Sequence, residues 1–267
     1  MAKIKAVAVD MDGTFLNDQK NYDRDFFKQL LQKMHAQDGH FIVASGNQYA
    51  RLQDDFKEFY TEIDFVAKNG ANLLAKGKEM LVQTIDQKTI QDIIAFQEGI
   101  KDSHLTVNGV KSAYMLVYED PKFLESIFYY CPAHTLLASF NDLPADRFIK
   151  INLAVPQELT EQTMANLRKN FGAKVHVTSS GFGDIDIIKR GVNKAQGLEL
   201  ILKQWGLTGD DLAAFGDGGN DIEMLKFAKY SYAMDNATPE VKAVARFKAP
   251  SNNDSGVLKA LEKLLSK

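Results

Sequence analysis

Two aspartates, Asp10 and Asp12, follow a short apolar run at residues 4–9 and are themselves followed by Gly13 and Thr14. Burying a carboxylate costs free energy unless a cation or hydrogen-bond donors compensate its charge, and two neighbouring carboxylates raise each other's pKa. The pair at the end of this run therefore predicts a partner charge.

Three further stretches carry side chains that could bind a metal ion or a phosphate beside this pair. Their residues are Ser45 and Gly46 in HFIVASGN, Lys194 in GVNKAQGL, and Asp217, Asn220 and Asp221 in GDGGND. Several carboxylates at one sheet edge would bind a hard cation such as Mg²⁺. A lysine ammonium and a hydroxyl beside them would bind phosphate oxygens, so the set has the parts of a phosphoryl-transfer site.

The two aspartates could take separate roles in such a reaction. One carboxylate could attack phosphorus and form an aspartyl-phosphate, which water then hydrolyses. Its neighbour two residues away could protonate the leaving alcohol and later take a proton from water. A bound metal ion would let an anionic carboxylate approach an anionic phosphate.

The elements that would position these residues alternate between strands and helices. Apolar runs at 4–9, 41–44 and 64–68 predict three strands, and apolar residues at helical spacing from 26 to 34 predict a helix between the first two. This alternation indicates a doubly wound α/β sheet. Ligands bind such sheets at the carboxyl ends of the strands, where Asp10, Asp12 and Ser45 all fall.

The pattern changes between residues 85 and 186. Helices are predicted near 87–98, 121–130 and 158–171, with strands over 147–155, 173–179 and 183–189. The stretch 104–118 predicts a hairpin in which Asn108 and Gly109 supply the two positive-φ positions of a tight turn. We interpret residues 85–188 as an inserted α+β domain.

The α/β pattern resumes after this insertion. The stretch DLAAFGDGGNDIEML predicts a strand, a tight acidic turn and a helix, and Thr238 with Pro239 predicts a later helix start. The predicted fold is thus a Rossmann-like doubly wound parallel sheet core, made of residues 1–84 and 189–267, with the inserted domain between them.

Composition narrows the classes of function. The 267 residues are 45% hydrophobic and 25% charged, with a formal net charge of -3, which gives no electrostatic footprint for nucleic acid or an anionic membrane. The single cysteine, Cys131, predicts a buried inert thiol. No signal-peptide pattern or membrane-length apolar window is present in the sequence, so we expect a cytoplasmic enzyme.

The order of these motifs resembles a known family. DMDGT, Ser45, Lys194 and GDGGND are similar to the four motifs of the haloacid-dehalogenase superfamily of aspartate-nucleophile phosphatases. The insertion after the third strand resembles the α/β cap of the Cof-type branch, which implies that residues 85–188 form a cap domain that sets substrate specificity. DMDGTFLND with VASGNQY is most similar to bacterial sugar phosphatases of that branch. The resemblance runs the whole length of the chain.

The resemblance implies roles in catalysis and metal binding. Asp10 would be the nucleophile and a Mg²⁺ ligand, and Asp12 the general acid and base, with its backbone carbonyl also on the metal. Asp217 would complete the metal site, and Asp221 would support the metal ligands without binding the metal itself. Many relatives have arginine where this chain has Asn47, so no role is assigned to Asn47.

It also implies which residues bind phosphate. Ser45 and the Gly46 amide would hold the phosphate, Lys194 would neutralise it, and Asn220 would orient it. Met11 lies between the two acids, where its backbone amide could face the phosphate. We therefore predict a Mg²⁺-dependent phosphatase of small phosphorylated metabolites, sugar phosphates above all, with no nucleic-acid or membrane partner and an oligomeric state left open.

Alternatives remain open at this point. A phosphomutase on the same scaffold would return the phosphoryl group to a sugar hydroxyl, and a phospho-accepting signalling domain would hold it without turnover. DMDGT alone could belong to a calcium loop, although an EF-hand places glycine sixth and here it is fourth. In the cap, Phe182 in SSGFG is a candidate substrate contact, against the alternative of an ordinary hairpin turn.

Overall fold

The structure is a computed structural model that describes residues 4–181 and 183–266. Its strands in chain order are β1 (Ala6–Val9), β2 (His40–Ala44), β3 (Asp64–Ala67), β4 (Asn72–Ala75), β5 (Lys78–Val82), β6 (His104–Gly109), β7 (Ala113–Leu116), β8 (His134–Leu137), β9 (Phe148–Ala154), β10 (Val175–Gly181), β11 (Asp184–Lys189), β12 (Leu212–Gly216), β13 (Tyr230–Met234) and β14 (Phe247–Ala249). Its α-helices are α1 (Arg24–His35), α2 (Tyr49–Asp55), α3 (Gln87–Glu98), α4 (Pro121–Tyr130), α5 (Thr160–Phe171), α6 (Lys194–Gln204), α7 (Ile222–Phe227), α8 (Pro239–Val244) and α9 (Gly256–Leu265).

The chain folds into two compact units. The first comprises the described residues of Met1–Gly46, Glu58–Met80 and Asn193–Lys267, and the second comprises Asn47–Lys57 and the described residues of Leu81–Val192. Helix α2 therefore groups with the second unit, although it follows β2 of the first unit directly in the chain.

The first unit contains a sheet with strand order β14-β13-β12-β1-β2-β3-β4-β5. The pairs from β14 to β3 are all parallel, whereas β4 runs antiparallel to β3. This arrangement confirms the predicted α/β class, because parallel strands connected by helices form the larger part of the sheet. The addition of β4 and β5 at one edge, with β4 antiparallel to β3, was not predicted.

Strand β1 lies near the middle of this sheet because all four of its residues are apolar and fully buried. A strand that is covered on both faces is typically a continuous apolar run, as here. The register aligns Val9 with Phe215 of β12 on one side and with Val43 of β2 on the other. The residues that follow these three strands therefore emerge at the same edge.

Helix α1 begins where Asp23 caps it by accepting a hydrogen bond from the Phe26 amide. Such a cap satisfies one of the amide groups that lack a partner at a helix start. The helix buries Phe27, Leu30 and two further apolar side chains along one face. An amphipathic stripe of this kind anchors the helix against the apolar interior.

The second unit is built on a sheet with strand order β10-β11-β9-β6-β7-β8. Its pairs are antiparallel except for β7 and β8, which run parallel. Ile90 and Ile93 of α3 and Leu167 of α5 join a buried apolar cluster with residues from these strands. The mixture of helices and mainly antiparallel strands agrees with the predicted α+β character of this segment.

The predicted tight turn at Asn108 and Gly109 is wrong. Both residues lie in β6, where the Gly109 amide donates to the Ser112 carbonyl (2.8 Å) and the chain reverses in between. The reason is the buried Asn108 side chain, which donates to Oδ1 of Asn152 on β9 (2.9 Å) and so belongs to the sheet. Cys131 is buried, as predicted, and its Sγ lies 3.7 Å from Asn108 Oδ1.

Within the part of the chain that the structure describes, no helix combines the length and the apolar character needed to cross a membrane.

Candidate active site

The predicted residues of the first unit gather at the carboxyl ends of its parallel strands. The Asp10 amide, directly after β1, donates to the Phe215 carbonyl of β12 (3.1 Å). The Ser45 amide, directly after β2, donates to the Val66 carbonyl of β3 (3.0 Å). These bonds extend the strand pairing by one residue, so both side chains are placed by the sheet itself.

A buried group of charges forms the centre of this edge. The Lys194 ammonium lies 2.5 Å from Asp10 Oδ1 and 2.7 Å from Asp221 Oδ1. Carboxylate oxygens of Asp10, Asp217 and Asp221 all lie within 4.8 Å of one another. Three carboxylates against one ammonium leave two net negative charges in this cluster when every group is ionised.

Burial and the neighbouring charges shift the pKa values of Asp10, Lys194 and Asp217. Burial raises the pKa of Asp10 to about 8, and the nearby Asp221 and Asp217 carboxylates add to the rise, although the Lys194 ammonium lowers it. Burial alone lowers the pKa of Lys194, but the carboxylates of Asp10 and Asp221 outweigh it and raise that pKa above its ordinary value. Burial also raises the pKa of Asp217. The cluster is thus short of positive charge.

Helix α6 presents Lys194 to the cluster from its first turn. Asn193 caps the helix by accepting a hydrogen bond from the Gln196 amide (2.8 Å). Gly197 lets the helix approach the sheet closely, because a Cβ there would lie 2.6 Å from Val66 Cγ1 of β3. This close approach places the Lys194 side chain, only 1% of whose residue surface is exposed, under the carboxyl ends of the strands.

Asp221 holds the loop that follows β12. Its Oδ2 accepts hydrogen bonds from the amides of Asp217 and Gly218, both at 3.0 Å, while Oδ1 accepts from Lys194. Gly216 permits this fold, since a Cβ there would lie 2.5 Å from the Asp221 Cβ. Both oxygens of Asp221 therefore already have protein donors.

Asp217 is held from the loop after β1. The Thr14 hydroxyl donates to Asp217 Oδ1 (2.6 Å). Gly13 has a φ of 78°, and a Cβ at this position would lie 2.5 Å from Asp217 Oδ2. Glycine is required here both for the left-handed backbone and for the close approach of the carboxylate. Asn236 fixes the same turn by donating to the Gly13 carbonyl (2.7 Å).

The side chain of Asp12 lies outside the buried cluster. Its Oδ1 accepts from the Lys20 ammonium at 2.6 Å, and each of the two side chains is 37% exposed. Met11, between the acids, has a buried side chain, and its carbonyl accepts from the amides of Thr14 and Leu16 (3.3 and 2.9 Å).

Ser45, Gly46 and Asn220 meet at Asn69. The Asn69 amide donates to the Ser45 carbonyl (2.9 Å), and the Asn220 side chain donates to Asn69 Oδ1 (3.4 Å). A Cβ on Gly46 would lie 3.1 Å from the same oxygen. Asn69 thus joins the predicted phosphate-binding residues, although sequence reasoning did not select it.

Asn69 and its neighbour Lys68 have an uncommon backbone. Both are buried, and their φ angles are 57° and 50°, in the left-handed region. Two successive residues other than glycine in this region are strained, and such strain clusters at functional sites. The AKNGA stretch carried a usable signal, because asparagine tolerates positive φ better than most residues.

Other residues of the site were also missed. Thr14 and Asn236 support Asp217 and its neighbouring turn through contacts that join distant parts of the chain, and Lys20 reaches Asp12 across a loop. No local pattern marks these partners. The predicted cap contact Phe182 lies outside the described residues, and Asn47, which received no role, lies in the second unit.

Comparison with known proteins assigns the chain to a family. Residues 7–261 match the family model of the haloacid dehalogenase-like hydrolases. The 5-amino-6-(5-phospho-D-ribitylamino)uracil phosphatase YbjI of Escherichia coli (strain K12) is 40% identical over 265 residues, which cover 98% of this chain and 96% of that protein.

Solved structures agree with this match. The crystal structure of SMU.1108c from Streptococcus mutans UA159 superposes with a TM-score of 0.93. The two sequences are 39% identical, and the match covers 99% of this chain and 100% of that one. The sugar phosphatase BT4131 of HAD subclass IIB shares the fold, with a TM-score of 0.81 and 22% identity over 97% of this chain and 98% of its own. The chain belongs to the haloacid dehalogenase-like hydrolases and is a phosphatase of that family.

Proposed function

We propose that this phosphatase hydrolyses small phosphorylated metabolites, sugar phosphates above all, with Mg²⁺ and through an aspartyl-phosphate on Asp10. The observation that carries the proposal is the buried Asp10 carboxylate at the end of β1, 2.5 Å from the Lys194 ammonium. A carboxylate placed with a fixed cation at the carboxyl edge of a parallel sheet is suited to attack a bound phosphate.

The cluster suits a divalent cation. Carboxylate oxygens are the ligands that Mg²⁺ prefers, and a dication would balance the two net negative charges of Asp10, Asp217, Asp221 and Lys194. We assign Asp10, Asp217 and the Asp12 carbonyl as ligands. Asp221 supports them instead, because its oxygens already accept from Lys194 and two amides. Bound Mg²⁺ would supply the positive charge that phosphoryl transfer between anions requires.

In the first half of the reaction an Asp10 oxygen forms a bond to phosphorus while the bond from phosphorus to the leaving oxygen breaks. Asp12, in its protonated form, gives its proton to that leaving oxygen, so an alcohol departs. In the second half water attacks the same phosphorus and transfers a proton to the Asp12 carboxylate. The bond to Asp10 breaks, inorganic phosphate leaves, and both aspartates return to their starting forms.

The surrounding residues would bind the phosphate oxygens. The Ser45 hydroxyl and the backbone amides of Gly46 and Met11 are the proposed donors, and the Asn220 side-chain amide would orient the group. Lys194 would stabilise charge that develops on the transferring phosphoryl group. The hydrogen bond from Asn220 to Asn69 Oδ1, an oxygen that would lie only 3.1 Å from a Cβ on Gly46, supports a shared site for these donors.

The names of two relatives support the proposed substrate class. The 40% identical relative is named for a phosphate ester on a ribityl chain, and the more distant BT4131 is a sugar phosphatase. We infer that the chain accepts a phosphate ester on a hydroxylated carbon chain, and that residues 85–188 select among such esters as a cap domain. Because the relative that shares 40% of its residues is a phosphatase, hydrolysis is favoured over the phosphomutase alternative.

A phosphate-release screen tests this function. Purified protein with Mg²⁺ is incubated with sugar phosphates, 5-amino-6-(5-phospho-D-ribitylamino)uracil, nucleotides and pyridoxal phosphate, and Asp10→Asn serves as the inactive control. We expect inorganic phosphate to accumulate fastest with esters of sugars or sugar alcohols. Conversion to an isomeric sugar phosphate without phosphate release would contradict the phosphatase assignment, and faster release from nucleotides would contradict the substrate class.

A further inference from the structure

The exposed carboxylate of Asp12 is held by a lysine from its own loop. Lys20 Nζ lies 2.6 Å from Asp12 Oδ1, and both side chains are 37% exposed. Asp12 carries the proton transfers in the proposed function, on which this inference rests. Its carboxylate is not a member of the buried group formed by Asp10, Asp217 and Asp221.

Folding stability alone does not account for this pair. Exposed ion pairs contribute little to stability, because water screens the charges and two side chains lose freedom. Lys20 also has a φ of 58°, a left-handed backbone conformation that is unfavourable for residues with a Cβ. The loop therefore holds Lys20 in an unfavourable conformation for a contact that adds little to the fold.

The loop that carries Lys20 is fixed by several hydrogen bonds. Asn17 Oδ1 accepts from the amides of Gln19 and Asn21, both at 3.0 Å. The Lys20 amide donates to the Asn17 carbonyl (2.9 Å). Asn252, from the loop after β14, donates to the Leu16 carbonyl (3.0 Å) at the start of the same loop. The backbone position of Lys20 is thus set by the loop itself.

We propose that Lys20 is a positioning residue for proton transfer: it fixes the Asp12 carboxylate through one oxygen, so that the group gives and takes protons in a defined orientation. A general acid must lie within hydrogen-bond reach of the leaving oxygen, and an oriented group loses less freedom in the transition state. The ammonium also faces the negative charge that Asp12 carries once its proton has passed to the leaving oxygen.

The dependence on the leaving group tests this role. p-Nitrophenolate leaves without a proton, whereas the alkoxide of glycerol 2-phosphate needs one. In a rapid-mixing single-turnover experiment, we expect Lys20→Ala to lower the rate of leaving-group release from glycerol 2-phosphate by about tenfold and that from p-nitrophenyl phosphate by less than about twofold. The later hydrolysis of the aspartyl-phosphate, which needs Asp12 with either ester, does not enter this rate. Lys20→Arg, which keeps the charge and reach, should restore most of the loss. Lys229→Ala is the matched control, since Lys229 faces Asp210 in an exposed pair at 3.7 Å.

Each other outcome overturns the inference. Equal losses in the first-turnover release of the two leaving groups would show that Lys20 supports the loop rather than proton transfer, and unchanged or raised release rates would show that the pair does not assist Asp12. Thermal unfolding of Lys20→Ala at the parent's temperature excludes misfolding as the cause of a loss. Activity that survives Asp10→Asn overturns the proposed function, whereas an inactive Asp10→Asn beside an unaffected Lys20→Ala overturns only the role of Lys20.

Discussion

Replacing Lys194 by methionine tests the charge balance of the buried cluster. Methionine is of similar length and apolar, so Lys194→Met removes the ammonium while largely filling its space. The parent ammonium lies 2.5 Å from Asp10 and 2.7 Å from Asp221, and the side chain is fully buried. Removing one partner of a buried ion pair costs about 3–5 kcal/mol, because the remaining charge is uncompensated.

The raised pKa of Asp10 decides where in this range the loss should fall. In the parent, burial raises the pKa of Asp10 and the Lys194 ammonium lowers it, so without the ammonium Asp10 takes up a proton more readily and relieves part of the repulsion. We therefore expect a loss near the lower end, about 3 kcal/mol. Each kcal/mol corresponds to roughly 2–4 °C in Tm for a chain of this size. The phosphatase kcat should fall by about 10²–10³-fold, as when one charge-stabilising donor is removed from an active site.

Thermal unfolding with and without Mg²⁺, together with phosphate release, measures these effects. Added Mg²⁺ should raise the Tm of Lys194→Met by more than it raises the parent's, because three carboxylates remain without their ammonium. Lys194→Arg should restore little, since a planar guanidinium does not replace a compact buried ammonium. Lys229→Met, at an exposed pair, is the control and should behave as the parent. A Lys194→Met protein with parental Tm and kcat would refute the charge-balance reasoning.

Two further predictions concern the metal and Asn69. Removing divalent ions with EDTA should abolish turnover and added Mg²⁺ should restore it, whereas a full rate in the metal-free enzyme would contradict the assignment of Asp10 and Asp217 as ligands of a required metal ion. Asn69→Gly should unfold near the parent's Tm because glycine accepts a φ of 57°, and Asn69→Ala should lose about 1–2 kcal/mol of stability. Both variants should lower kcat/KM because Asn220 loses its partner, and parental kcat/KM in both would place Asn69 outside the phosphate site.

The position of the site could be predicted because it depends on local patterns. An apolar run such as β1 must be buried on both faces, and polar residues directly after it must then lie at the sheet edge. The same reasoning applies to Ser45 after β2 and to Asp217 after β12. Lys194 was harder, because its helix approaches the sheet only where Gly197 leaves room beside Val66.

What the sequence could not predict depends on contacts between distant residues or on backbone conformation. Thr14 meets Asp217 across 203 residues of chain, and no spacing marks that partnership. Asn108 followed by glycine has the composition of a tight turn, yet its buried hydrogen bond to Asn152 keeps it in a strand. Tertiary burial therefore overrode a local turn preference, a conflict that is visible only once the neighbouring strand is known.

Detection of the phosphorylated enzyme tests the central claim most directly. Asp12→Asn should accept the phosphoryl group from p-nitrophenyl phosphate, whose leaving group needs no proton, and then stall because water lacks a base. After an acid quench, mass spectrometry of proteolytic peptides should find one added phosphoryl group on the peptide that contains Asp10, and Asp10→Asn should show none. Continued phosphate release by Asp10→Asn, or a phosphoryl group on any other residue, would contradict the account.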